Sequence, residues 1–214
     1  MAYGFPEGSS LQFSQTFASA KTVTAITNAN PAVATSVAHG YTTGDEILFT
    51  SGWEDATDSV WKITVLTADT FSLQGLDASS TGFFPAGTGT GTAQKISGWT
   101  SIPQVLTISA SGGDARFTDV NLLSKRNGIK IPTGFNATSV TMSLAHDASQ
   151  AGYVTMLGIS RNLSKVAFKQ VISGGSSTYG YGYMSVSEFP KLNSNSVNTV
   201  DAAMTILGRS VSYA

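Results

Sequence analysis

The stretch VAFKQVISGGSSTYGYGYMSV, residues 166–186, decides the fold. Val166–Ile172 and Tyr179–Val186 are short runs rich in β-branched and aromatic residues, and glycine and serine punctuate the chain between them, which is the pattern of antiparallel strands. In the second run Tyr179, Tyr181 and Tyr183 alternate with glycine, so a strand places all three rings on one face, ready to pack on a neighbouring subunit or sheet. Outward from this point the same texture recurs in residues 11–27, Ile63–Leu73, Gln104–Ile108, Ser139–Leu144 and Ala203–Val211. These read as further strands, and the expected class is all-β, with sheets that form a sandwich or close a barrel.

One segment breaks the pattern. In DASQAGYVTMLGISR, residues 147–161, Asp147 suits a helix cap and Gln150, three residues on, completes a capping box. Tyr153, Met156 and Leu157 then share one face at helical spacing. A single helix flanking the sheets is expected, its stripe a packing surface.

The chain has 214 residues, 41% hydrophobic and only 12% charged, half the charge usual for soluble proteins. Ser, Thr and Gly cover the surface instead, which suits strand faces that are to be buried against partners without desolvating ions. The net charge of −1 lacks the basic excess of a general DNA binder. There is no cysteine, hence no disulfide or thiolate metal site, and the composition fits folding in a reducing cytoplasm. No stretch approaches the length of apolar chain that spans a bilayer, so no membrane insertion is expected.

Charge divides the chain. Residues 22–96 hold seven acidic residues against Lys62 and Lys95, a net −5, and the remainder is +4. The acidic segment closes with the tract GTGTGT, residues 87–92, which reads as a flexible exit. Residues 22–96 are therefore expected to be an inserted small β-module, and residues 1–21 with 97–214 the host domain.

Chemistry is sparsely provided. The two histidines, His39 and His146, lie in no catalytic motif, and GGSST at 174–178 lacks the second glycine of a nucleophile elbow. His39, in AHGYTTGDEILF, is expected in a hairpin connection. The acidic run Glu54-Asp55-Ala56-Thr57-Asp58 lacks the spacing of a calcium loop. No catalytic residue, cofactor or metal is expected. Trp53, Trp61 and Trp99 could form a stacking face for a sugar, though packing on a sheet is the stronger reading. The one local basic cluster, Lys125-Arg126-Asn127-Gly128-Ile129-Lys130, lies in a long strand-poor stretch, Ser111–Phe135. Its Asn-Gly suits a hairpin tip. Loops of that length usually carry function, here subunit contact. The expected contact residues are Arg116, Lys125, Arg126, Asn127, Lys130, Tyr179, Tyr181 and Tyr183.

The order ISGWTSIPQVLTIS, a long polar loop, SVTMSLAHDASQAGYVTMLGIS, AFKQVISGG, YGYGYMSVSEFP and VDAAMTILGRSVSYA resembles the tail tube proteins of long-tailed bacteriophages. The segment ITNANPAVATSVAHGYTTGDEILFTSGW with ITVLTADTFSLQGLD resembles a small β-module inserted in phage tail proteins. The resemblance implies a virion protein, made and assembled in the host cytoplasm, whose homohexameric rings stack into a tube that conducts DNA. It also implies tape measure, tail tip and tail terminator proteins as partners, an outward-facing insertion, and Ser111–Phe135 as the loop that docks on the adjacent ring. The family's bore is commonly acidic, and a host domain of +4 departs from that. An adhesion or glycan-binding module and a capsid or tail completion protein are the alternatives.

Overall fold

The computed structural model of the chain describes residues 7–102, 104–124, 126–192 and 194–214. In chain order its strands are β1 (Ser10–Ser14), β2 (Thr16–Phe17), β3 (Lys21–Val23), β4 (Ala25–Ile26), β5 (Val33–Thr35), β6 (Glu46–Ser51), β7 (Ser59–Thr67), β8 (Thr70–Leu73), β9 (Gly91–Ser97), β10 (Thr100–Ser101), β11 (Val105–Ser111), β12 (Ala115–Val120), β13 (Ile129–Phe135) and β14 (Ser139–Ala145). The helix α1 (Ala151–Asn162) follows, and then β15 (Lys165–Val171), β16 (Ser177–Val186), β17 (Thr199–Ile206) and β18 (Val211–Tyr213). The fold is all-β with one helix, as its alternating patterns predict.

The first sheet has the order β10-β1-β15-β16-β17-β14-β11, with β18 also on β16. Strict alternation in β14 and β17 sends Val140, Met142, Leu144, Val200, Ala202 and Met204 to one face. That face shares a single core with Leu11, Phe13, Val166 and Phe168 from the other end of the sheet, and with Tyr153, Met156 and Ile159 of α1. Each large side chain fully buried there stabilises by about 1.5–3 kcal/mol. The sheet is thus folded over one core as a sandwich, and β16 is its corner. Its Ser177–Tyr183 portion pairs with β15, whereas Gly182–Val186 pairs with β17. Gly182 permits the crossing, since a Cβ there would stand 1.9 Å from the Thr205 carbonyl oxygen.

The second sheet runs β2-β9-β6-β7-β8-β5-β4, with β3 also on β9. Its ends meet: β3 pairs with β9 and β4 with β5, and only Thr24 separates β3 from β4. The Thr24 N–H donates to the Thr35 carbonyl at 2.9 Å. Closure makes a small barrel without free edges, filled by Val23, Phe49, Trp53, Trp61, Ile63, Phe71 and Leu73 among others. Entry and exit lie side by side, with Thr16 opposite Ser97, and the Ser14 hydroxyl donates to the Ser97 carbonyl at 2.7 Å.

Four local expectations are corrected. α1 begins at Ala151 with Gln150 as its cap and no side-chain capping bond. Asp147 instead accepts from the Ser149 N–H and hydroxyl, at 2.9 and 2.7 Å, in a turn before the helix, because a short acidic side chain bonds its own nearby backbone as readily as a helix end. His39 is not in a hairpin connection, since β5 and β6 are not neighbours. It is buried, stacked on Tyr41, accepting the Tyr41 N–H at Nδ1 and bonding the Thr67 carbonyl through Nε2. The glycine-threonine tract is no flexible exit. Gly91 and Thr92 open β9, and a Cβ on Gly89 would collide with the Trp53 ring at 2.6 Å. Finally, Ser111–Phe135 is not strand-poor, because β12 and β13 form a hairpin within it.

Candidate assembly interface

The β12–β13 hairpin is a sheet of its own, and its strands pair only with each other among the described residues. A two-stranded ribbon is marginal in water unless a further surface covers it. After a bulge at Arg116/Phe117 the register sets Val120 opposite Ile129 and Thr118 opposite Ile131, so Val120, Ile129 and Ile131 share one face. Ile129 and Ile131 are exposed and Val120 is half-buried. Ile131 is 48% exposed, Phe117 56% and Phe135 74%, while Leu122 and Leu123 stand exposed at the tip. Exposed apolar residues are thereby concentrated on a narrow arm.

The expected basic contact residues fall on this arm. Arg116 lies on β12 opposite Gly134, where a Cβ would crowd its guanidinium at 3.1 Å. Lys130 faces Asp119 across the ribbon at 3.8 Å, both carried in water, and such a pair contributes little to stability. Arg126, Asn127 and Gly128 are exposed in the connection between β12 and β13, which runs over residues 121–128, so Asn127-Gly128 leads into β13 and is not the tip of a tight two-residue turn; Lys125 lies outside the described residues. At the base of the arm Phe135, Asn136 and Ala137 face Glu54 and Asp55 of the barrel and Arg209 across a cleft of about 680 Å3.

The second open feature is β11, the terminal strand of the sandwich sheet, paired only with β14. Its outer edge presents unpaired backbone groups, and Leu106 and Ile108 are exposed beside it. Such an edge is a template for another strand.

The tyrosines of β16 separate. Tyr179 and Tyr181 are buried against their own chain, in a cluster with Leu48, Val60 and Ile96 on the outside of the barrel. The Tyr179 hydroxyl donates to Glu46 Oε1 at 2.5 Å, and Lys169 Nζ bonds the same oxygen at 2.7 Å. Burial first, then the Glu46 carboxylate, raises the Tyr179 phenol well above its ordinary value. Tyr213 of β18 adds a bridge: its hydroxyl accepts the Lys62 N–H at 2.9 Å and donates to the Gln74 carbonyl at 3.2 Å. Burial pushes its pKa up to about 12. These contacts seat the barrel on the sandwich, a role for Glu46, Lys169 and Tyr213 that sequence reading missed because their partners lie more than a hundred residues away. Tyr183, 41% exposed at the seam's border, is the ring of the three left open to solvent. The tryptophans offer no open sugar platform, since Trp53 and Trp61 are buried in the barrel and Trp99 packs toward Tyr179. Among the described residues no helix is long and apolar enough to cross a membrane.

Two folded β units share a tight seam and leave, among the described residues, a free sheet edge and an exposed apolar ribbon. The chain belongs to the phage tail tube protein family, whose sequence pattern matches residues 51–214, from the end of β6 through the barrel's later strands and every strand of the sandwich except β1. A solved structure titled as the tail of an empty GTA particle, helically refined with C6 symmetry, is similar at a TM-score of 0.41 and 16% identity, over 54% of this chain and 87% of that one. No curated protein matches the chain in sequence. It is accordingly a structural component of a phage tail.

Proposed function

We propose that copies of this chain close into rings, six to a ring as the family resemblance implies, and that the rings stack into the tube that delivers DNA to the host bacterium. The β12–β13 ribbon carries the reading, because a ribbon with an apolar face that no third strand covers among the described residues gains its stability from a second copy. In this arrangement the free edge of β11 pairs laterally, so that ring closure removes it. The ribbon, with Arg116, Arg126, Asn127 and Lys130, reaches axially to the next ring, and Tyr183 contributes at the lateral seam. Tape measure, tail tip and tail terminator proteins meet the bore and the ends.

Residues 22–96 act as an inserted module, the barrel, to which β2 and Lys21 add at its entry, and the rest of the chain forms the tube domain. The adjacency of Thr16 and Ser97 supports this, since an insertion whose ends meet leaves its host undisturbed. Negative-stain electron microscopy of the concentrated protein at near-neutral pH tests the function. Hollow filaments with a regular axial repeat are expected. Isolated closed rings or clusters that never elongate would instead favour a capsid or tail completion protein.

A further inference from the structure

The core-facing side of the sandwich sheet closes round one core, so the two ends of its other side face away from each other. One end, carrying Ala167, Tyr179 and Tyr181, is covered by the barrel. The other end, on β17, β14, β11 and the last residues of β16, is uncovered and has a distinct chemistry. Its alternate positions are hydroxyls, among them Thr107, Ser109, Thr141, Ser143, Ser185 and Thr205. They bond along the rows, Ser109 to Thr141 at 2.7 Å and Ser139 to Thr205 at 3.5 Å. Across β11, β14 and β17 the one charged residue is Asp201, and its carboxylate is taken by Lys191. Lys165 reaches only the border, over the Tyr183 ring.

We infer that this hydroxyl face is the wall of the bore, which leaves the barrel at the other end of the sheet pointing outward, as the family resemblance implies for the insertion. The inference rests on the tube reading proposed above and adds which side of the subunit faces DNA. A wall repeated in every copy multiplies each side chain round the ring. Lysine or arginine there would gather phosphates and release counterions, holding the duplex. Neutral hydroxyls keep the wall wet through hydrogen bonds to water, and the lysine that reaches the face, Lys191, has its charge balanced by Asp201. The wall is thus close to neutral, and passage without sticking comes from missing positive charge rather than from a dense acidic lining. Apart from Lys191, the cations behind the +4 balance of the remainder lie elsewhere, on β3, β12, β13, α1, β15 and the loops.

The chain contains no cysteine, so one introduced thiol is uniquely addressable. Filaments of Ser109→Cys, and of Ala68→Cys in the exposed β7–β8 turn of the barrel, would be treated after assembly with a small biotin maleimide and then with streptavidin, which is too bulky for a channel sized to one duplex. The expected result is dense streptavidin decoration of the Ala68→Cys filaments and bare Ser109→Cys filaments. Dissolving the latter should reveal biotin on most subunits, because the small reagent enters the bore. Streptavidin along the walls of Ser109→Cys filaments would overturn the inference by placing the face outside. Absence of biotin until dissolution would overturn it by placing the face in a subunit contact. Thr141→Cys is the second variant, and failure of both to assemble while the parent does would also assign the face to a contact. Absence of filaments from the parent protein would count against the tube itself.

Discussion

The barrel and the β12–β13 arm are drawn from the same stock of Val, Ile, Phe and Thr, yet they treat it in opposite ways. In the barrel β3 and β4 join the two ends of the sheet, and Trp53, Phe49, Ile63 and Phe71 are sealed inside. The arm has two strands, no third, and its isoleucines and phenylalanines face water. The difference lies in strand pairing, not in composition. A sheet that closes satisfies its apolar face within one chain, whereas a ribbon that cannot close leaves that face for another molecule. Under the proposed function, stability of the subunit and stability of the assembly rest on different segments, which makes them separable by mutation.

The largest expected effect is in the barrel. Trp53 meets Phe84 edge-on at a centroid distance of 5.1 Å, donates its indole N–H to the Pro85 carbonyl at 2.8 Å, and lies under Gly89. Trp53→Ala should cost about 3–5 kcal/mol through lost burial and the cavity left behind. Thermal unfolding followed by near-ultraviolet circular dichroism measures this. A loss under about 1 kcal/mol would mean that the barrel does not depend on its closed core, and the contrast with the arm would fail.

A smaller effect belongs to the seam. Tyr213→Phe keeps the ring but leaves the Lys62 N–H and the Gln74 carbonyl without that hydroxyl, a cost of about 1–3 kcal/mol for partly buried groups. The pH dependence gives an independent reading. The folded pKa of Tyr213 is raised from 10.0 to about 12 by burial, so its contribution is fully present below pH 10 and is lost as pH rises through about 12. The parent protein should therefore lose stability across that alkaline window, and Tyr213→Phe should lose less of it. Identical alkaline profiles for the two proteins would remove Tyr213 from the seam.

Legibility in the sequence followed the same division. Where a strand finds its cover inside the chain, alternation is complete, and Ser139–Leu144, Val166–Ile172 and Tyr179–Val186 coincide within a residue or two with β14, β15 and the later part of β16. The arm was hidden because Pro132 and Gly134 interrupt β13 and a bulge shifts β12, features that ordinarily mark a loop. Glycines misled in the barrel for a related reason. At Gly89 and Gly91 the missing side chain serves close approach of Trp53 and of the Thr50 carbonyl, not freedom of the chain, and only the fold brings those partners near. The basic residues of the arm were legible as a cluster, but Tyr179 and Tyr181 could not be told from Tyr183 by spacing. Which rings are covered depends on Leu48, Val60 and Ile96.

The smallest effect on the subunit should accompany the loss of assembly. Ile129→Ser with Ile131→Ser removes the apolar face of the arm while keeping β-compatible side chains, and neither residue touches a core of the chain. The unfolding free energy of the monomer should change by no more than about 0.5 kcal/mol, as for surface substitutions generally. Filaments, in contrast, should be absent at concentrations where the parent assembles. Arg126→Glu at the tip gives an intermediate case, since it alters charge but not area. It should slow or shorten filaments and make their length salt-dependent, because rim charges act chiefly on association. Paired measurements of melting temperature and filament length decide the matter. A double serine variant that melts several degrees lower would show the arm packing on its own subunit, and one that forms normal filaments would move the ring contact to another surface.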